Sequence, residues 1–342
     1  MKETIGTFDG VVPATGTGAA RKRVFLTWLP YSQRSQTLAE RLGARPVYFG
    51  YLSGRKSTPR AILRYLLMTL HTAGFLLRHR PRLVFVMNQP VFLPFVVYAV
   101  SFLLRYQYVI DSHSGLFNKP EWRWSLPIMK YVYRRSLFSI VTNREHRERV
   151  QSWGGRVEVL GALILGEEPA DPFVRPLGPS LVVIGTFAAD EPTAEVFEAC
   201  RRMADIQFYV TGSLNKASPD LLKSAPGNVI FTDFMPRPKY VGLVKAMDGA
   251  IILVKNDNVM QRGAYEAMSW EVPIITSEWQ LLRETFNRGA IFVDNSPEQI
   301  VRAVRQLLGH LQHYRAEIKA LRVERAAQWE SDIRRINAFL SS

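Results

Sequence analysis

The most chemically suggestive residues in this 342-residue chain stand where an apolar run ends. YQYVIDSH, Tyr106–His113, closes on Asp111 and His113, two positions apart. Residues at that spacing in an extended strand project to the same side, so a carboxylate meets an imidazole there. A carboxylate can hold an imidazole in one tautomer. The pair then suits accepting a proton from an attacking hydroxyl, or stabilising charge as a bond to a leaving group breaks. The plainer alternative is that Asp111 caps the turn into Ser114-Gly115 while His113 packs in a seam. The other histidines, His71, His79, His146, His310 and His313, have no comparable setting. No His, Asp and Glu group has metal-ligand spacing, so neither metal nor cofactor is expected. The single cysteine, Cys200, excludes an internal disulfide and fits a reducing compartment.

Apolar runs alternating with helical stretches must carry these residues. In the first half the runs are Arg23–Leu29, Ala44–Tyr51, Arg82–Asn88, Tyr106–His113, Phe138–Asn143 and Arg156–Ala162. In the second they are Ser180–Thr186, Ile206–Gly212, Asn228–Phe234, Gly249–Lys255, Val272–Ser277 and Ala290–Asp294. This alternation predicts parallel sheets covered on both faces. Between the halves, GEEPADPFVRPLGP (166–179) has four prolines and no periodicity, and reads as a linker. The expected plan is a disordered leader over 1–22, one Rossmann-like domain over 23–165, a second over 180–310, and helices over 311–342. Two such domains would face a cleft, with ligands at the carboxyl ends of the strands.

The charge is one-sided. Residues 1–177 hold 25 Lys+Arg against 11 Asp+Glu, whereas residues 178–342 hold 19 of each, so the whole net charge of +14 lies in the first half. That points the first half towards an anionic surface. Ile62–Leu77, ILRYLLMTLHTAGFLL, is flanked by Arg55, Lys56 and Arg60 on one side and Arg78, His79, Arg80 and Arg82 on the other. Cations flanking an apolar helix suit burial in a lipid interface; the competing account is a core helix of the sheet layer. A spanning helix needs about 20 apolar residues. Pro90–Leu104 falls short of that, and Arg64 and His71 interrupt Ile62–Leu77.

From Thr232 to Ser277 and on through Gly289-Ala290-Ile291-Phe292-Val293, the chain resembles the nucleotide-sugar half of family-4-type GT-B glycosyltransferases. The matching features are a strand, a short loop, a helix opened by Gly263-Ala264-Tyr265-Glu266-Ala267-Met268, and a strand after Pro273. The resemblance implies that Glu266 accepts hydrogen bonds from the ribose hydroxyls of the donor. The bland reading of that glutamate is a complement to its helix dipole. A helix N-terminus behind a glycine suits a diphosphate. Gly185, Thr186, Gly212, Ser213, Phe234 and Met235 would line the nucleotide, with Lys255 or Arg262 at its phosphates. The chain departs from the family pattern in having Asn258 where an acidic residue is usual, and in lacking the usual Arg and Lys pair after Gly185-Thr186.

These readings give one expectation: a GT-B enzyme moving a sugar from a nucleoside-diphosphate donor to a lipid-linked saccharide or glycolipid. It would work in surface polysaccharide or glycolipid synthesis, peripherally bound to the inner face of the plasma membrane on the cytoplasmic side. The rivals are a catalytically silent GT-B scaffold and, from the basic charge, a nucleic-acid-binding protein. The last lacks any recognisable binding module, so nucleic acid is not expected as a partner.

Overall fold

A computed structural model describes residues 22–50, 58–113, 115–118, 120–175, 177–257 and 259–341. All of the expected leader except Lys22 lies outside the described residues, as do Arg55, Lys56, Ser114, Asn258 and the side chain of Arg60. The chain forms two compact units. Unit 1 is Met1–Ala162 with Glu330–Ser342, and unit 2 is Leu163–Trp329.

Unit 1 is built on six parallel strands: β1 (Arg23–Thr27), β2 (Arg45–Tyr48), β3 (Leu83–Met87), β4 (Gln107–Asp111), β5 (Phe138–Val141) and β6 (Val157–Val159). Their order is β2-β1-β3-β4-β5-β6. Central strands such as β3, LVFVM, are buried throughout. That is why their sequences are continuous apolar runs rather than alternating ones. The helices are α1 (Gln33–Arg41), α2 (Thr58–His79), α3 (Phe92–Leu104), α4 (Gly115–Asn118), α5 (Leu126–Arg135) and α6 (Arg144–Ser152). Ser32 caps α1 and Asn143 caps α6, each side chain accepting a backbone N–H of the first turn. α2 packs on α3, and α3 on α5. The inner sides of this layer are apolar, but so is much of the outside. Ile62, Leu63, Leu66, Leu70 and Leu77 of α2 stand exposed. So do Phe102 and Leu103 of α3, and Ile128 and Tyr131 of α5.

Unit 2 repeats the plan with β7 (Ser180–Val183), β8 (Gln207–Thr211), β9 (Val229–Asp233), β10 (Gly249–Ile252), β11 (Ile274–Ser277) and β12 (Ala290–Val293) in the order β12-β11-β10-β7-β8-β9. Its helices are α7 (Thr193–Arg201), α8 (Pro219–Lys223), α9 (Arg237–Ala246), α10 (Arg262–Ser269), α11 (Gln280–Thr285), α12 (Pro297–Gly309) and α13 (Leu311–Ser341). Leu181, Phe208, Ile251 and Ile275 lie within one buried cluster with Phe197 of α7 and Val304 of α12.

The 166–179 stretch, read from its prolines as a linker, falls within unit 2 and is held there by specific bonds. Asp171 N–H donates to Pro238 O at 3.0 Å, and Arg175 pairs with Asp248 at 2.6 Å. α13 begins in unit 2, and its residues from Glu330 onward belong to unit 1. There Phe339 meets Phe138 with ring centroids 5.3 Å apart, and Arg335 pairs with Glu158 at 3.1 Å.

Candidate active site

In unit 1, Asp111 is the last residue of β4 and is fully buried. Arg34, in the first turn of α1, reaches it with Nη2 at 3.0 Å from Oδ1 and Nε at 3.2 and 3.3 Å from Oδ1 and Oδ2. Its remaining nitrogen, Nη1, donates to Gly161 O at 3.1 Å. His113 brings Nε2 to 3.3 Å from Asp111 Oδ2, an ion-pair distance without hydrogen-bond alignment. Burial pushes the Asp111 carboxyl up, but the Arg34 charge, with His113 nearby and the Arg34 hydrogen bonds, outweighs it and holds the group well below the usual carboxylate range. Asp111 is therefore an anion at neutral pH, with one oxygen on Arg34 alone and the other shared between Arg34 and His113.

The backbone around His113 is fixed as firmly. Asn88, just past β3, accepts the His113 N–H at 2.8 Å and returns its own N–H to His113 O at 3.3 Å. Ser112 Oγ lies 2.7 Å from the hydroxyl of Tyr133, which also takes an N–H of Asn88. With its side chain 30% exposed, His113 is the member of the pair open to solvent. The structure thus brings the two expected residues together, with Asp111 buried and His113 partly open to solvent. Arg34 escaped the sequence reading. Its only signal is a cation in the short segment after the first strand, where a site residue is as ordinary as a surface one.

In unit 2, Glu266 lies one turn into α10 and is 6% exposed. Three side chains already donate to it. Arg237 Nη1 and Arg262 Nε reach Oε1 at 2.7 and 3.0 Å, and Tyr240 Oη reaches Oε2 at 2.7 Å. Arg237 also grips Glu168 through Nε and Nη2 at 2.7 and 3.0 Å, and lies 5.0 Å over the ring of Trp270. A ribose diol at Glu266 must share or displace these donors. Arg237 and Arg262 are each the first residue of a helix. A cation there opposes the helix dipole, and Glu266 compensates for that. Charge against the dipole was the available signal for Arg237, which the sequence reading passed over.

The other expected donor residues gather around the loop after β7. Gly212 has φ +116, and a Cβ on it would come within 2.7 Å of Gly185 O, so the close approach of the two loops requires glycine. Gly263 is needed for a similar reason, since a Cβ there would lie 2.6 Å from Ile184 Cγ2. The N–H and hydroxyl of Thr186 and the N–H of Ala188 all donate to Glu191, so a carboxylate from within the chain fills this cradle. Lys255 closes the loop from β10, its N–H donating to Asp190 O at 2.7 Å and its Nζ 3.8 Å from Glu195. The cavity under this loop, lined by Gly185, Phe187 and Glu191, holds about 20 Å³, room for one water and not for a diphosphate. Ser213 and Met235 follow β8 and β9, and Phe234 stands 82% exposed with its ring in solvent.

Residues 178–310, β7 through α12, match the family described as Glycosyl transferases group 1. The likeness covers less than half of the chain. The architecture of the whole chain agrees. It is similar to a sucrose-phosphate synthase from Thermosynechococcus elongatus, with a TM-score of 0.70 and 12% identity, covering 93% of this chain and 98% of that one. It is similar also to HepE of Anabaena, described in complex with UDP-glucose, with a TM-score of 0.66 and 12% identity over 92% of this chain and 99% of that one. The apo lipopolysaccharide outer core galactosyltransferase WaaB gives a TM-score of 0.64 and 11% identity, with 93% and 98% covered. At such identities the likeness shows the fold, which is GT-B. No curated protein matches the sequence. The matched segment contains Glu266, Arg262 and Arg237, whereas Asp111, His113 and Arg34 lie outside it.

Proposed function

We propose that this chain transfers a sugar from a nucleoside-diphosphate donor, held by unit 2, to a hydroxyl of a lipid-linked saccharide or glycolipid presented to unit 1 at a membrane surface. The observation that carries the donor half is the match of residues 178–310 to group 1 glycosyltransferases, with Glu266 and two arginines meeting at the start of α10. Glu266 accepts from the ribose, and Arg262, whose side chain is 74% exposed, turns to the diphosphate. His113 accepts the proton of the attacking hydroxyl, and Asp111 stabilises the imidazolium that results. UDP-glucose, which HepE of Anabaena holds in its complex, is the first donor to test.

The acceptor half of the proposal rests on the outer side of α2, α3 and α5. No helix among the described residues is long and apolar enough to cross a membrane. Exposed Leu66, Leu70, Phe102 and Ile128 instead suit shallow insertion, with the surplus cations of unit 1 at lipid phosphates. Such an enzyme would act from the cytoplasmic side of the plasma membrane, in glycolipid or surface-polysaccharide synthesis.

A thermal-shift screen of nucleotides and nucleotide sugars tests the donor reading. A ligand at a hundred times its dissociation constant stabilises by about 2.7 kcal/mol. The engaged oxygens of Glu266 favour one rival, a scaffold without turnover. A full screen with no shift would support that rival and sink the transferase reading.

A further inference from the structure

A cavity on unit 1, bordered by α4, α5 and α6, belongs to neither cluster above. It holds about 560 Å³ and is walled by Phe117, Leu126 and Trp153 together with Arg123, Lys130 and Arg149. Among the described residues no carboxylate lines it. Arg123 and Lys130 are exposed, and among the described residues no carboxylate pairs with either. Arg149 is already placed. Its Nη1 donates to Phe117 O at 3.2 Å and its guanidinium lies 5.9 Å from the Phe117 ring, with Glu145 3.7 Å away on the same helix. Behind this wall Phe117 stacks on the buried ring of His146 at 4.3 Å and meets Trp153 at 5.8 Å. The floor is therefore aromatic and apolar, and the rim cationic. On the same stretch of chain, Trp124, Ile128 and Tyr131 stand exposed to solvent.

A wall of this kind asks two things of an occupant at once. It must carry negative charge for Arg123 and Lys130, and a hydrocarbon part for the aromatic and aliphatic floor. A phosphate on an alkyl chain meets both, through charge-assisted bonds at the head and apolar contact along the first methylenes. A free phosphate meets only the first, and a zwitterionic lipid places its own cation beside Arg123 and Lys130. We propose that this cavity binds the phosphate head of an anionic lipid, a site that would hold unit 1 on the bilayer in one orientation. The proposal rests on the reading of unit 1 as the membrane-facing half.

Calorimetric titration of the full chain tests it with three probes: dihexanoyl phosphatidic acid below its micelle concentration, dihexanoyl phosphatidylcholine, and inorganic phosphate. The chain is used unaltered and as an Arg123→Ala/Lys130→Ala variant, whose exposed positions leave the core intact. Saturable binding of the phosphatidic acid is expected, weakened roughly tenfold or more in the variant. Inorganic phosphate should bind more weakly, and phosphatidylcholine should not bind. Equal affinity in the variant would overturn the site, and equal affinity for inorganic phosphate or phosphatidylcholine would overturn the lipid assignment. Nucleotide-sugar binding by the variant should be unchanged, which keeps this outcome separate from the donor reading. If the short-chain lipid binds while anionic vesicles do not, the membrane reading falls and the phosphate site stands.

Discussion

Arg34 holds Asp111 through two nitrogens at 3.0 to 3.3 Å, from a helix 77 residues earlier in the chain. The carboxylate is fully buried and the arginine side chain 14% exposed, so neither partner has water as a ready substitute. Breaking a buried pair by removing one member costs about 3–5 kcal/mol, because the other charge is left without compensation. Arg34→Met should therefore lower stability by that order in urea unfolding. An added Asp111→Leu should recover much of the loss. A neutral single substitution would mean that the clamp holds nothing in place.

His113 bears the proposed chemistry and leaves the fold to its neighbours. His113→Ala should lower kcat roughly 10²–10⁴-fold, the usual range for a positioned general base. Donor affinity should stay near normal, since the nucleotide is assigned to unit 2. Single-turnover rates beside calorimetry of the same variant separate the two. A variant that kept near-normal turnover would move the base elsewhere.

Glu266→Ala removes an acceptor shared by Arg237, Arg262 and Tyr240. Nucleotide-sugar binding should weaken by about 1.5–3 kcal/mol, the worth of a charge-assisted hydrogen bond. Arg237 keeps its second partner, Glu168, so the local fold should survive. Unchanged affinity by calorimetry would reduce Glu266 to an anchor for its arginines.

Anionic vesicles should bind the chain, and salt should weaken the binding without abolishing it. Each cation near an anionic leaflet contributes about 1 kcal/mol, screened beyond about 8 Å at physiological salt. The salt-resistant remainder is assigned to α2, so Leu66→Glu/Leu70→Glu should remove it. Co-sedimentation at low and high salt measures both parts. Absence of binding in every condition, with the protein folded, would point to a soluble acceptor.

His146 gives the fold a dependence on acid. Its ring is fully buried, and neither nitrogen has a hydrogen-bond partner among the described residues. Burial, with help from the Arg149 charge, lowers its pKa from 6.5 to about 4. Between those values the unfolded chain takes up a proton that the folded chain refuses. Stability is thus intact above pH 6.5 and falls as pH drops towards 4, by about 3 kcal/mol over the full window. His146→Phe should flatten that part of a profile of Tm against pH. An unchanged profile would show that the ring is protonated in the fold.

The strands of both sheets were legible in the sequence, because a strand buried on both faces is an uninterrupted apolar run with a polar residue at its end. The strand-end rule likewise found Asp111 and His113 together. Side chains that reach a site from elsewhere carry no such mark, and Arg34 and Arg237 were hidden for that reason. Proline content could not show that 166–179 would be fastened along unit 2, through Asp171 and Arg175. Helical periodicity also could not say which apolar residues of α3 would be covered. Leu93 and Val97 are buried, while Phe102 and Leu103, in the same run, are exposed.

Unit 1 is discontinuous in the chain, and this sets the order in which it can be finished. Phe138 and Arg23 wait for Phe339 and Leu340, and Arg41 O for the side chain of Asn337. On the ribosome the half made first is therefore completed last, after the whole of unit 2 has emerged. A fragment ending near residue 162 would keep the sheet and its site but expose the surface that the end of α13 covers. Expressing the two halves as separate pieces should succeed more readily for Leu163–Trp329 than for Met1–Ala162.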